Sequence, residues 1–223
     1  MDKLKKSRAT YGTTIEVKRC TNNQAKETFE MYANVINEFK PTPVRYQGDW
    51  LDIENEYNSM NGSLFLIATT RKNRFFNKTE VVVGCMGVKR YGKIAILKHV
   101  AVAPKYQGQD FKIHFCNPPF EDYELCQCNI AKFMLETLEQ FCKNQKLSTI
   151  IIGTDSYYPS GLKFYAKRDY RMLTENQITE NTDIFNAYQD YKDVDDTWLI
   201  KTLPEIKPKT SQQSITEPER KEK

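Results

Sequence analysis

Between Ile94 and Val102 the chain reads IAILKHVAV, apolar at every position except Lys98 and His99. So short a run, closed by a turn containing Pro104 and Gly108, suits a strand covered on both faces rather than one with a wet side. A chain with such a strand at its centre needs helices to cover both faces of a sheet, and the flanking sequence supplies them.

Thr14–Arg19 alternates as a strand, and Asn22 or Asn23 can cap a helix running to about Phe39, with Ala25, Phe29, Tyr32, Ala33 and Ile36 on one face. Pro41 and Pro43 break it, and Trp50–Met60 carries a second helical pattern. Residues 63–70 and 81–90 read as strands joined by the basic tip RKNRFFNK, and Tyr91-Gly92 turns the chain into the central strand. Phe133, Met134, Leu138 and Phe141 mark a helix from Ile130 to about Gln145, followed by a strand over 149–153 and a helix from Pro159 to about Lys167. A last strand spans 198–203. Residues 174–196 are polar, acidic and weakly patterned.

The 223 residues bound the chain to one domain with a tail. Its +4 formal charge is spread among interspersed acids and bases, which leaves no basic stripe for nucleic acid. No stretch reads as a signal peptide or a membrane span, so a cytoplasmic protein without membrane contact is expected. The expected organisation is a basic extension over 1–13, a domain over 14–203 and a disordered tail over 204–223, where Lys, Glu, Ser, Gln, Thr and Pro dominate.

The stretch IAILKHVAVAPKYQG, taken with GLKFYAKRDYRML from Gly161, resembles the two halves of the acyl-CoA site in the GNAT superfamily of N-acyltransferases. The resemblance covers roughly residues 14 to 203. It implies an α+β fold with a central mixed, mostly antiparallel sheet of six to seven strands and about four helices. It also implies acetyl-CoA as acyl donor and a primary amine as acceptor, attacking the thioester directly.

In that family the central strand splits from its neighbour and pairs with the pantetheine arm, a place that Val100, Ala101 and Val102 match. A backbone N–H near Val100 or Val102 would receive the oxyanion. The pyrophosphate loop that follows begins here with Gln107, Gly108 and Gln109, then departs from the pattern, because Asp110 and Lys112 stand where small residues are expected. An insertion over about 110–127 accounts for this. With it removed, Cys126, Asn129 and Ala131 fall on the motif positions, and the amides around Asn129, Ile130 and Ala131 open a helix suited to phosphate.

Tyr165 matches the family tyrosine that protonates the leaving thiolate, a task suited to a phenol of pKa about 10. It can equally pack a helix onto the sheet. Asp169-Tyr170 replaces the usual Gly-Phe, and Tyr158 stands where Asn is common. The Glu that many relatives place on the central strand is Ile96 here, so His99 is the candidate base, with a hydrogen-bonded core histidine as the plain reading. Lys98, its neighbour, should face the other way.

Glu175, Glu180, Asp183, Asp190, Asp193, Asp195 and Asp196 form either a solvated loop or an acidic rim that favours a cationic amine. His114, Cys116, Cys126 and Cys128 are spaced too closely for a metal knuckle; free thiols and no metal are expected. Against the enzyme stands a second reading, a GNAT-fold binding or regulatory module that has lost catalysis, supported by the altered loop and the absent Glu.

Overall fold

The computed structural model describes residues 13–40, 42–74, 77–116, 126–155, 159–191 and 196–204. The basic extension up to residue 12, Tyr158 and the tail from residue 205 lie outside them. One sheet of nine strands organises the described residues, in the order β6-β5-β1-β2-β3-β4-β7-β9-β8. Its strands are β1 (Thr14–Arg19), β2 (Leu64–Arg74), β3 (Asn77–Tyr91), β4 (Ile94–Val102), β5 (Asp110–Phe115), β6 (Cys126–Asn129), β7 (Thr149–Asp155), β8 (Arg171–Met172) and β9 (Asp196–Thr202). The helices are α1 (Asn22–Ile36), α2 (Ile53–Glu56), α3 (Ile130–Asn144), α4 (Pro159–Ala166), α5 (Glu175–Glu180) and α6 (Thr182–Tyr191).

The mixed, mostly antiparallel α+β architecture expected from the sequence is present, with more strands and helices than the six to seven and four anticipated. Among the described strands, only β1 with β5 and β4 with β7 pair in parallel. Two of the additional strands come from the segment read as inserted: β5 adds to the edge beside β1, and β6 returns antiparallel to β5. Their alternation, with Phe111 and Ile113 buried and the residues between them exposed or half-exposed, is what an edge with one covered face requires.

Apolar packing fills both faces of the sheet. On one, α3 lays Ile130, Met134, Leu135 and Leu138, all fully buried, against Val83, Met86, Leu97 and Ile113. At about 2 kcal/mol per side chain these four account for a large part of that helix's stability. The other face is covered by α1 with Trp50 and Tyr57, and further along by α6 with Ile184 and Ala187.

Three local expectations need correction. Thr21, not Asn22 or Asn23, caps α1, with Gln24 Oε1 accepting from the Thr21 N–H at 3.3 Å. Asn22 is turned instead to the next segment, accepting from the Glu54 N–H at 3.1 Å and donating to Asp52 at 3.0 Å. The second helical pattern breaks into a 3-10 turn over Gly48–Leu51, the short α2 and another 3-10 turn over Ser59–Asn61. The acidic stretch read as unpatterned folds into α5 and α6, where Thr174 opens α5 with a capping box and Asn181 Oδ1 accepts from the Ile184 N–H at 3.1 Å.

Candidate active site

β4 is the strand on which the site is built, because its two edges are used differently. Along one edge it pairs with β3 over nearly its whole length, whereas β7 meets it only at Ile94, Ala95 and Ile96. From Leu97 onward the two strands diverge. The Ala103 N–H is bonded to Val83 O on the β3 side at 2.9 Å. Successive N–H groups of a strand point to opposite edges, so those of Val102 and Val100 point into the split.

The split opens on a cavity of about 820 Å³. Val100, Ala101, Val102, Gln107, Gly108, Asn129, Ala131, His99 and Tyr165 all line it. Gln109 and Ile130 do not. The Gln109 side chain is folded back onto Lys105 O at 2.9 Å, and Ile130 is buried in the core beneath the sheet.

At the mouth of the cavity, the Gln107 side chain donates to Val102 O at 2.7 Å and ties the loop to the end of β4. Gly108 has φ of 67°, and nothing lies within 4 Å of where a Cβ would stand, so its backbone is open to a ligand. Asp110 pairs in register with Asn129, which closes the β5–β6 excursion and sets Gly108 beside the start of α3. Asn129 is the N-cap of α3, accepting from the Lys132 N–H at 3.3 Å and leaving amides of the first turn for an anion. Asp110, which stands where the family pattern has a small residue, does not line the cavity.

The opposite wall is polar and tightly interlocked. Asp49, from the 3-10 turn before α2, accepts at Oδ2 from Tyr57 Oη at 2.9 Å, Lys98 Nζ at 2.8 Å and His99 Nε2 at 3.3 Å, and at Oδ1 from Lys89 Nζ at 3.1 Å. Burial pushes the Asp49 carboxyl up, but hydrogen bonds from His99 and Lys98 and the charges of Lys98 and Lys89 together hold it well below the carboxylate range. Because Asp49 is ionised, the proton of its bond to His99 lies on Nε2. A neutral imidazole then keeps its lone pair on Nδ1. Burial pushes the His99 pKa down, and Lys98 adds to this against the opposing pull of Asp49, so the ring is neutral at pH 7.

Lys98 does not face away from His99, as strict alternation would have it. A bulge sets His99 and Val100 against the single residue Met86, with His99 at φ 55°. Both side chains therefore reach the same carboxylate. Gly87, opposite Lys98, has no room for a side chain, since an added Cβ would lie 2.8 Å from Phe65 and 2.9 Å from Tyr57. His99 is packed among the rings of Trp50, Tyr32 and Phe65, with centroids 4.6, 5.5 and 5.9 Å away. Trp50 and Tyr57 are core residues, both nearly inaccessible.

Tyr165 is buried on α4 beside Phe164 and Tyr170. Asp169, in the place of a glycine, adopts φ of 66°, a region that Asp tolerates better than most residues. Among the described side chains of the acidic series, Glu175, Glu180, Asp183 and Asp190 do not line the cavity. Asp183 accepts from the Lys93 N–H at 2.8 Å and Asp190 from the Tyr91 hydroxyl, both at the closed end of the split. Glu175 and Glu180 lie on α5 away from the lining, Asp196 opens β9 opposite Asp155, and Asp193 and Asp195 lie outside the described residues. Every formally charged side chain among the described lining residues is a cation: Lys40, Lys98, Lys163, Lys167 and Arg168.

Sequence reasoning did not single out Asp49, Arg168 or Trp198. Arg168 Nε and Trp198 Nε1 are buried donors that find no partner among the described residues, and both residues line the cavity. Gly48 before Asp49 signals a turn, but no spacing ties that carboxylate to a strand fifty residues away.

The architecture is that of the GNAT acetyltransferases. A GNAT-family acetyltransferase from Staphylococcus aureus Mu50 superposes with a TM-score of 0.61 at 22% identity, covering 85% of this chain and 99% of that one. An acetyltransferase from Streptococcus agalactiae 2603 gives 0.60 at 22% identity, with 85% and 98% covered. The PaiA N-acetyltransferase from Thermoplasma acidophilum, solved in complex with coenzyme A, gives 0.51 at 14% identity over 84% and 98%. No family model and no curated protein matches the sequence.

Proposed function

We propose that the chain is an acyl-CoA-dependent N-acetyltransferase that moves an acetyl group from acetyl-CoA to a primary amine by direct attack. The observation that carries this reading is the split between β4 and β7, which opens two backbone N–H groups, the Gly108 loop, the first turn of α3 and Tyr165 onto one cavity. The residues present fit a pantetheine arm and a polyphosphate. An unpaired strand edge takes the arm as an added strand, the α3 amides take the pyrophosphate, and Lys163, Lys167 and Arg168, with its orphaned Nε, supply positive charge.

In this mechanism the amine nitrogen bonds to the thioester carbon while the carbonyl oxygen becomes an oxyanion. Val100 or Val102 N–H holds that oxyanion, already oriented by the β3–β4 ladder. On collapse the C–S bond breaks, and the Tyr165 hydroxyl gives its proton to the departing thiolate. The proton lost from the amine goes to His99 Nδ1, directly or through water. The cationic lining does not favour a polycationic acceptor.

A thermal melt with excess acetyl-CoA, followed by thiol release over a panel of amines, tests the reading. Saturation at about 100 times Kd stabilises by about 2.7 kcal/mol and raises Tm by roughly 5–10 °C. Tyr165→Phe should then lower kcat about 10²-fold or more while the shift persists. The competing reading, a fold that has lost catalysis, draws on Ile96 in place of an acid and on the enclosure of His99; it predicts no turnover with any amine whether or not the ligand binds.

A further inference from the structure

Outside the cleft, on the sheet face opposite α3, three metal-ligating groups of different types converge where β1 and β5 run side by side. Glu16 and His114 are register partners in the parallel pair, so their side chains share a face. The Cys116 N–H is bonded to Val17 O at 2.9 Å, which carries the pairing two residues further and returns Cys116 to that face. The Glu16 carboxylate, a His114 ring nitrogen and Cys116 Sγ all lie within 4.8 Å of one another, each residue half-buried. His114 Nε2 stands 3.8 Å from Glu16 Oε1, a few tenths of an ångström beyond the roughly 3.4 Å between two such donors on one tetrahedral zinc, a gap that a small side-chain rotation closes.

We propose that Glu16, His114 and Cys116 form a zinc site that staples β5 to β1. Thiolate, imidazole and carboxylate together select a borderline-soft divalent ion over calcium or magnesium, which require oxygen ligands throughout. Three protein ligands leave a fourth tetrahedral position for water or another exchangeable group. The ligands sit on two strands already held by the ladder, so little ordering remains to be done when the ion arrives. Binding replaces the Cys116 thiol proton, which is released to solvent, and forms the Zn–S bond without change of oxidation state.

The other two cysteines of the segment do not belong to this set. Cys126 and Cys128 stand opposite Ile113 and Phe111 on β6 and pack, with their sulfurs 2.9 Å apart, against the core on the α3 face. The close spacing of all four residues in the sequence thus hides a division between two faces. Arg71 competes for the site, since its guanidinium lies 3.0 Å from Glu16 Oε1, but its side chain is 61% exposed and can swing into water.

The test uses the full chain, stripped with chelator under a thiol reductant and titrated with Co²⁺ as a spectroscopic probe, then with Zn²⁺ as competitor. Expected are one saturable site in the micromolar range or tighter, a thiolate-to-cobalt charge-transfer band, and its loss on adding zinc. Cys116→Ser should abolish the band, and His114→Ala should weaken binding roughly tenfold or more. Cys126→Ser with Cys128→Ser should leave the band in place. Arg71→Ala is a surface change that removes a competing cation, and it should tighten binding. No saturable binding in the unsubstituted chain would overturn the proposal. So would a band that survives Cys116→Ser and disappears in the Cys126→Ser, Cys128→Ser double variant.

Discussion

Asp49 holds together one wall of the cleft at the level of single residues, since Tyr57, Lys89, Lys98 and His99 all bond to its carboxylate. Removing that charge leaves two half-buried ammonium groups facing each other. Asp49→Asn is therefore expected to destabilise by about 3 kcal/mol, the usual result of breaking a buried pair from one side. The pH dependence has a definite sign. His99 titrates below its unfolded value of about 6.5, so on acidification the unfolded chain takes up the proton first, and stability falls as pH drops from about 6.5 toward the folded value. Asp49, whose folded pKa is also depressed, contributes stability that is present above the unfolded carboxylate value of about 3.9 and lost below it. In Asp49→Asn the acid loss below pH 4 should shrink. The His99 slope should extend to lower pH, because Asp49 is the neighbour that favours the imidazolium. Urea midpoints measured from pH 2 to 8 check this, and a midpoint unchanged at pH 7 would mean that the lysines are solvated and the carboxylate holds nothing.

Between elements, the junction that keeps α3 on the far half of the sheet is polar. Glu139 on α3 accepts from Lys201 on β9 at 2.7 and 2.8 Å and from the Tyr170 hydroxyl at 3.2 Å, with burial pushing the Tyr170 phenol well up. Glu139→Ala should cost about 3–5 kcal/mol and lower Tm by about 10 °C. Glu139→Leu combined with Lys201→Met should recover most of that, because two apolar side chains leave no buried charge behind; calorimetry on both variants distinguishes lost charge pairing from lost packing. How far an element shows in the sequence depends on whether its cause is local. The start of α3 is plain because a cap at Asn129 and apolar residues at Ile130, Phe133, Met134 and Leu138 lie within three turns. The same periodicity is present in α6 at Ile184, Ala187, Tyr188 and Tyr191, but the intervening acids dilute it into an apparent loop. β5 is hard to read locally, since besides its hairpin with β6 it becomes a strand by pairing with β1, nearly a hundred residues earlier in the chain. For the same reason His99 and Tyr165 are visible as candidates while Asp49 is not, and the joint orientation of Lys98 and His99 follows from a bulge that only the β3 partner strand defines.

Taken whole, the molecule is two sheet halves joined across β4 and β7 by three residue pairs, Ile94 with Thr149, Ala95 with Ile150 and Ile96 with Ile151. Beyond them each half is closed on its own: β4 is held by β3, and β7 by β9 as far as Asp155. The amides of Val100 and Val102 therefore face a cavity in the free protein, while those next to the three closing pairs are protected by the ladder and by the apolar layers above and below. An acyl-CoA lying in the split as an added strand would change these two groups differently. Exchange at Val100 and Val102 should slow by about tenfold or more on saturation with acetyl-CoA, with a matching effect around Gly108 and the first turn of α3, while Ala95 and Ile96 change little. Hydrogen exchange resolved to single amides measures this directly. Uniform slowing across the sheet would mean that the ligand merely stabilises the fold from elsewhere. Slowing confined to the α3 turn would mean that the chain holds the phosphates but not the arm, and transfer through the β4 edge would have to be abandoned.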